Sequence, residues 1–171
     1  NEAFLKDIEW LTSAQVKLST GTSGNSEIPY YDHLALVSGD ANYNDEAGIY
    51  PSQSGNEELS WEQTWANNVG VSFGLYNRVN VNVDFYHKKT TNMLMLVPQS
   101  YAITGVGNRW DNIGAMMNRG VEIAIDGDVI RTKDFTWNLS ANVSYNKNKL
   151  LELYNGVEEY VNSTTGLKYV V

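Results

Sequence analysis

The longest regular pattern in this sequence is a strict alternation of apolar and polar side chains within residues 118–149. From Phe135 to Tyr145 every second residue is apolar or aromatic, and the residues between them are Thr, Asn or Ser. Because successive side chains of a β-strand point to opposite faces, this pattern predicts a strand with one apolar and one polar face. Residues 120–126 alternate in the same way, so the two arms together predict a long hairpin.

A second hairpin of the same kind precedes the first, with two alternating arms on either side of a short turn. The sequence therefore predicts an all-β chain, an antiparallel meander of about five long strands. These strands are expected near residues 9–19, 61–75, 79–90, 113–126 and 135–147. Two architectures produce such strands: the half-buried sheet of a soluble β-sandwich, and the wall of a large transmembrane β-barrel.

The connections between the predicted strands alternate between short and long. Short turns are predicted at 76–78 and 127–134, and long loops at 21–60, 91–112 and 148–171. Outer-membrane barrels have short turns on one side of the membrane and long extracellular loops on the other, whereas the connections of a sandwich are more evenly short. The asymmetry therefore favours the barrel.

Composition argues against one class of partner and against several kinds of structure. The net charge of −8 argues against a nucleic-acid partner, because little in the chain would neutralise phosphates. The absence of cysteine excludes disulfides and thiolate metal sites. No apolar run approaches the roughly 20 residues that a transmembrane helix needs.

The sequence does not predict an enzyme, a cofactor or a metal site. His33 and His87 lack the spacing of zinc ligands or of a catalytic triad, and no G-x-S-x-G motif occurs. The acidic residues within 40–46 suggest a calcium loop, but an EF-hand needs Gly and Glu where this chain has Asp45 and Pro51. We therefore expect a solvated acidic loop there.

Five segments carry a family resemblance. They are residues 21–25 (GTSGN), 68–73 (NVGVSF), 84–94 (DFYHKKTTNML), 112–123 (NIGAMMNRGVEI) and 137–149 (WNLSANVSYNKNK). In this order and spacing they resemble the C-terminal barrel half of SusC/RagA-type TonB-dependent transporters. The sequence has no counterpart of the plug domain, of the TonB-contacting segment or of the terminal strand, so the resemblance implies that residues 1–171 are an internal part of the barrel domain.

The resemblance also implies a location and partners. Transporters of this type are barrels of about 22 strands in the outer membrane of Bacteroidetes, with a lumen closed by a plug domain. They import glycans or peptides together with a SusD-like surface lipoprotein, and TonB drives them through the plug. The resemblance further implies that the apolar face contacts outer-membrane lipid, that the short turns are periplasmic and that the long loops face outward.

The long loops contain candidate contacts for a ligand or partner. Sugar and peptide sites combine aromatic faces with hydrogen-bonding groups, and loops commonly supply them. The residues of this kind are Tyr30, Tyr31, Tyr43, Tyr101, Arg109, Trp110 and Asp111. The alternative is that these aromatic side chains only pack the loops against their neighbours. Two other functions also stay open, a soluble β-sandwich carbohydrate-binding module and an adhesive surface protein.

Overall fold

A computed structural model describes residues 8–153, 159–161 and 168–170 of the chain. These residues form eleven β-strands and one short helix. In chain order the elements are β1 (Leu11–Asn25), β2 (Leu36–Tyr43), β3 (Glu46–Gln53), β4 (Glu62–Leu75), β5 (Val79–Thr91), β6 (Leu94–Pro98), α1 (Tyr101–Thr104), β7 (Asn108–Asn112), β8 (Ala115–Arg131), β9 (Thr136–Glu152), β10 (Glu159–Val161) and β11 (Lys168–Val170). None of the described helical residues belongs to a helix long and apolar enough to span a membrane.

The long strands form one antiparallel sheet of five strands in the order β1-β4-β5-β8-β9. The shorter strands form three two-stranded ribbons, β2–β3, β6–β7 and β10–β11. The predicted all-β antiparallel class is therefore confirmed. Within the described sheet, β1 and β9 are the edge strands, with 15 and 17 residues respectively.

The chain divides into two compact units. Unit 1 comprises Asn1–Thr22, Trp65–Lys89 and Met117–Lys149, and unit 2 comprises Ser23–Thr64, Thr90–Met116 and Leu150–Val171. In the described part of unit 1, only Gly70 and Gly74 are buried. Its sheet therefore has no apolar core of its own among the residues that the structure describes.

Many side chains on the apolar face of unit 1 are exposed, on both the edge strands and the inner strands. Val16 is 67% exposed on β1, Trp65 58% on β4 and Val143 69% on β9. Others on this face with more than a third of their surface exposed are Leu18, Val69, Phe73, Phe85, Ile123, Ile125, Phe135, Trp137, Leu139 and Tyr145. No second layer of described residues covers these side chains.

The opposite face of unit 1 carries polar side chains that pair between neighbouring strands. Asn68 Nδ2 donates to Ser19 Oγ at 3.0 Å, and Asn80 Nδ2 donates to Asp126 Oδ2 at 2.9 Å. Farther along the sheet, Asn138 Nδ2 donates to Asp128 Oδ1 at 3.3 Å. The two faces of the sheet thus differ in polarity as the sequence alternation predicts.

The long loop predicted at 21–60 is not structureless. Strands β2 and β3 form a hairpin whose two turn residues, Asn44 and Asp45, have φ values of 52° and 62°. Positive φ at both turn residues is typical of a type I′ turn, which matches the twist of the flanking strands. The acidic segment at 40–46 is therefore strand and tight turn rather than an open loop.

The predicted strand end near residue 20 is also wrong, because β1 continues to Asn25. A Cβ atom at Gly24 would lie only 2.7 Å from Cε3 of Trp61. The glycine therefore permits the close approach of an aromatic ring to a continuing strand, and it does not mark a turn.

The turn predicted at 127–134 is shorter than expected, because β8 reaches Arg131. The turn is closed by a 2.8 Å hydrogen bond from Thr132 N–H to Phe135 O.

The predicted loops at 91–112 and 148–171 also contain regular structure. The first folds as the ribbon β6–β7 with α1 between its strands. In the second, β9 extends to Glu152 and β10 pairs with β11, while residues 154–158, 162–167 and 171 lie outside the described part. Unit 2 contains the buried apolar residues of the described chain: Val97, Val106, Ala115 and Leu153.

Candidate functional site

Unit 2 contains a cavity of about 550 Å³ between the ribbon strands β3 and β7 and the helix α1. We refer to it as the ribbon cavity. Aromatic, hydroxyl and amide side chains dominate its wall. The lining residues are Asp32, Tyr50, Pro51, Ser52, Gln53, Ser54, Leu96, Tyr101, Gly105, Val106, Gly107, Asn108, Arg109 and Trp110.

Trp110 lies in the middle of β7 and is held from two sides. Its indole Nε1 donates to Asp32 Oδ2 at 2.7 Å. Its backbone carbonyl accepts a 3.0 Å bond from Nδ2 of Asn56, a buried side chain. These two contacts fix both the edge of the ring and the backbone, so the indole has one orientation in the wall of the cavity.

Arg109 and Asp111 form an ion pair along the same strand. Arg109 Nη2 donates to Asp111 Oδ2 at 2.7 Å, and Asp111 Oδ1 accepts from Asn56 Nδ2 at 3.2 Å. The Nε of Arg109 is shielded from solvent and has no hydrogen-bond partner within the described part of the chain. The guanidinium charge is therefore balanced by Asp111 before any ligand enters the cavity.

Tyr101 forms the wall on the side of α1. The segment from Gln99 to Gly107 is closed by a 2.9 Å bond between Gln99 N–H and Gly107 O. The Tyr101 ring packs on Gly107, because a Cβ atom there would lie 2.9 Å from the ring carbon Cε2. Tyr101 is nevertheless 71% exposed. One side of the ring is thus supported by backbone, while much of its surface is not covered by the described part of the chain.

The β3 side of the cavity is anchored by Gln53. Its Nε2 donates to Tyr31 O at 2.7 Å and to Leu34 O at 2.8 Å, which ties the end of β3 to the preceding segment. Its Oε1 is an acceptor that these two bonds leave unused. The anchor therefore holds the strand in place and keeps one acceptor at the cavity.

One carboxylate of the β2–β3 hairpin has a perturbed pKa. Hydrogen bonds from the Ser38 hydroxyl, at 2.6 Å, and from Tyr50 hold the pKa of Asp40 below its ordinary value. Both bonds favour the ionised carboxylate. Tyr50 also lines the ribbon cavity, so the hairpin and the cavity share a side chain.

The seven candidate residues fall into three groups. Tyr101, Arg109 and Trp110 line the ribbon cavity, and Asp111 is the ion-pair partner of Arg109. Tyr30, which is 94% exposed, and Tyr31 are not among the lining residues. The side chain of Tyr43 lies outside the part that the structure describes.

Sequence reasoning missed Asp32, Gln53 and Asn56. Asp32 lies 78 residues from Trp110, and Asn56 lies 55 residues from Asp111, so no local pattern connects them. The only signal for Asn56 is its place in an irregular segment before β4, which by itself does not distinguish it from other polar loop residues. Its role follows only from the folded contacts.

The arrangement provides contacts that could bind a ligand. In the described residues no three His, Asp or Glu side chains are placed to hold a metal ion. The cavity instead combines fixed aromatic rings with hydroxyl and amide groups, which can hold a polar ligand by stacking and hydrogen bonds.

Comparisons with known proteins agree with the fold. The family model described as TonB dependent receptor-like, beta-barrel matches residues 9–170. TonB-dependent receptor P39 of Formosa agariphila is 39% identical over 153 residues, which cover 89% of this chain and 15% of the relative. TonB-dependent receptor SusC of Bacteroides thetaiotaomicron is 33% identical over 167 residues, covering 91% of this chain and 16% of the relative.

Among solved structures, the RagAB peptide importer in its "open-open" state matches with a TM-score of 0.87 and 36% identity. The match covers 99% of this chain and 19% of that chain. This chain thus spans about one sixth of the length of its curated relatives. The names of all three relatives are those of receptors or importers, and none is the name of an enzyme.

Proposed function

Because this chain belongs to the TonB-dependent receptor-like β-barrel family, we propose that it serves as part of the wall and outer loops of a transporter that imports nutrients across the outer membrane. Proteins of this family are β-barrels of the bacterial outer membrane, and that membrane is the location of this chain. In the proposal, residues 1–171 belong to the barrel domain. Transport requires no bond-making, so the protein is not an enzyme.

The observation that carries the proposal is the uncovered apolar face of unit 1. Side chains such as Leu139, which is 57% exposed, would be costly in water because apolar burial is the main stabilising force of soluble sheets. Hydrocarbon tails remove that cost. A polar opposite face with paired Asn and Asp side chains fits a water-filled lumen.

The long edge strands support the same proposal. β1 and β9 lie at the two edges of the described sheet, and long unpaired edges promote aggregation in soluble proteins. In a closed barrel, each would pair with the next strand of the wall. The proposal therefore assigns β1 and β9 neighbours from the rest of the receptor.

The proposed cargo is a glycan or a peptide. One similar structure is named as a peptide importer, and another relative carries the name SusC. We further propose that a SusD-like surface lipoprotein covers the outer mouth and that TonB acts through a plug domain. The contacts to cargo or lipoprotein would come from outward loops, with Tyr30, Tyr31, Tyr43, Tyr101, Arg109, Trp110 and Asp111 as candidates.

A pair of charge substitutions on β9 tests the proposal. Leu139 lies on the apolar face and its neighbour Ser140 on the polar face. In the full-length receptor, Leu139→Arg should lower the amount of folded barrel, because Arg near the bilayer midplane costs about 2–4 kcal/mol. Ser140→Arg should leave it near the wild-type amount. The measurement is the heat-modifiable gel shift of outer-membrane fractions.

Equal effects of the two substitutions would contradict the proposal. A receptor that stays monomeric and folded in buffer without detergent would also contradict it. Either result would favour the soluble β-sandwich or adhesive module that the sequence alternation also allows.

A further inference from the structure

We propose that the ribbon cavity is a subsite for an uncharged sugar ring, with Tyr101 as its stacking platform. The inference rests on the proposed import function and adds to it the chemistry of one binding position. It concerns the lining described above: α1 on one side, β7 on another and β3 opposite.

The size of the cavity suits a small ring system. Its volume of about 550 Å³ lies within the roughly 300–1,000 Å³ that is typical of small-molecule sites. Its wall joins two ribbons that each have a hydrogen-bonded partner strand, β2 for β3 and β6 for β7. The cavity is thus framed by paired backbone and does not depend on a single free loop.

Tyr101 has the geometry of a platform. Its ring is supported by the backbone of Gly107, where any larger residue would displace it. Within residues 1–171 the ring is 71% exposed, so no described residue occupies the surface on which the apolar C–H face of a sugar would pack. Trp110 adds a second aromatic wall that Asp32 holds in a fixed orientation.

The charges of the cavity favour a neutral ligand. Arg109 is the one cationic side chain among the described lining residues, and Asp111 already neutralises it at 2.7 Å. Asp32 adds a negative charge to the same wall. An anionic ligand such as a uronate would meet a net negative charge on the described part of the lining, so its binding would be opposed by like charge.

The hydrogen-bonding groups suit hydroxyls better than an extended peptide. Ser52, Ser54 and Asn108 line the cavity, and Gln53 keeps its Oε1 as an acceptor. A peptide bound by strand addition needs alternating N–H and C=O groups along the edge of β3. Pro51 lies within that stretch and has no N–H to donate.

The test is a binding titration with the full-length receptor, purified in detergent with any lipoprotein that copurifies. The probes are maltohexaose, mannohexaose and xylohexaose as uncharged chains, hexagalacturonate as the charged counterpart, and hexaalanine as the peptide. At least one uncharged hexasaccharide should bind, and hexagalacturonate and hexaalanine should not. Tyr101→Ala should weaken that binding by about tenfold, the loss expected for one aromatic contact, and Tyr101→Phe should restore it.

Two further variants make the test specific to the cavity. Ile103→Ala is the matched control, because Ile103 lies on the same helix, is 85% exposed and is absent from the lining. It should leave the affinity unchanged. Asp111→Asn frees the charge of Arg109, so it should create measurable binding of hexagalacturonate.

The outcomes separate this inference from the proposed function. Binding of hexaalanine or hexagalacturonate that Tyr101→Ala abolishes would overturn the neutral-sugar subsite, and so would binding by none of the five probes. In either case a receptor that folds as an outer-membrane barrel would still satisfy the import proposal. A receptor that does not fold in the membrane would overturn the import proposal itself.

Discussion

The indole N–H of Trp110 donates a 2.7 Å hydrogen bond to the carboxylate of Asp32, which lies 78 residues earlier in the chain. A bond to an ionised acceptor is shorter and stronger than one between neutral groups. This single contact joins the segment before β2 to the strand β7. The bond therefore holds the Trp110 ring in place in the wall of the ribbon cavity.

We expect Asp32→Ala to release the Trp110 ring, because it removes a bond worth about 1.5–3 kcal/mol. Asp32→Asn should keep the ring in place, since its amide oxygen still accepts. The measurement is acrylamide quenching of Trp110 fluorescence, obtained by subtracting the signal of a matching Trp110→Phe receptor. Quenching should rise for Asp32→Ala only. The same quenching in both variants would show that the bond does not hold the ring.

Asn56 should be a key residue for the stability of unit 2. It is buried, and its Nδ2 donates to Trp110 O and Asp111 Oδ1 while its Oδ1 accepts from Glu58 N–H. Asn56→Ala leaves these groups without their partner, at a cost of about 1–3 kcal/mol. We expect faster amide hydrogen exchange in residues 53–60 and 108–112.

The control for Asn56 is Asn56→Asp, which keeps the acceptor for Glu58 but places a second carboxylate beside Asp111. We expect it to be at least as destabilising as the alanine variant. Unchanged exchange in both variants would mean that other contacts hold these two segments together.

Two glycines on the polar face of the sheet should differ sharply in their tolerance of a side chain. A Cβ atom at Gly70 would collide with the carboxylate of Asp84, whereas nothing lies within 4 Å of one at Gly21. Gly70→Val should therefore destabilise the barrel by about 1–3 kcal/mol through overpacking. Gly21→Val should change stability by less than about 0.5 kcal/mol.

The folded fraction of these two glycine variants can be compared by the heat-modifiable gel shift after a urea titration. A similar midpoint for both would mean that Asp84 moves aside without cost. A loss for Gly21→Val alone would contradict the predicted order of the two sites.

The stability of the β2–β3 hairpin should depend on pH through Asp40. Hydrogen bonds from Ser38 and Tyr50 lower the pKa of this carboxyl in the folded state. A lowered pKa contributes stability above the pKa of the unfolded chain, and that contribution is lost as the pH falls through the lowered value. Ser38→Ala should raise the pKa of Asp40 toward its ordinary value.

The check on Asp40 is a carboxyl carbon NMR titration of the receptor labelled at Asp, in the wild type and in Ser38→Ala. At neutral pH hydrogen exchange in residues 36–53 should be slower in the wild type than in Ser38→Ala. The difference should disappear at a pH below the lowered pKa of Asp40. A difference that persists there would rule out this carboxylate as its source.

The strands of the sheet could be predicted from the sequence because their period is visible locally. Between Phe135 and Tyr145 the alternation assigns each side chain to one face, and the structure has a continuous strand, β9, from Thr136 to Glu152. The hairpin β2–β3 could not be recognised in the same way. Its turn residues, Asn44 and Asp45, read as part of an acidic run, and no strict alternation flanks them.

The candidate site was predictable only in part. Tyr101, Arg109 and Trp110 could be named because aromatic and hydrogen-bonding side chains in loops are typical of sugar and peptide sites. Asp32, Gln53 and Asn56 are ordinary polar residues whose importance comes from partners far away in the sequence. Long-range contacts of this kind depend on tertiary packing, which a single sequence does not display.

Only two glycines are buried in the described part of unit 1, so its apolar side chains are not enclosed in a packed interior. A packed protein interior rejects a changed side-chain shape, because neighbouring atoms cannot flow around it. Fluid lipid tails do adjust. Substitutions among Val, Leu, Ile and Phe at positions such as Leu139 and Val143 should therefore change the stability of the barrel little, because these positions require an apolar side chain but not a particular volume.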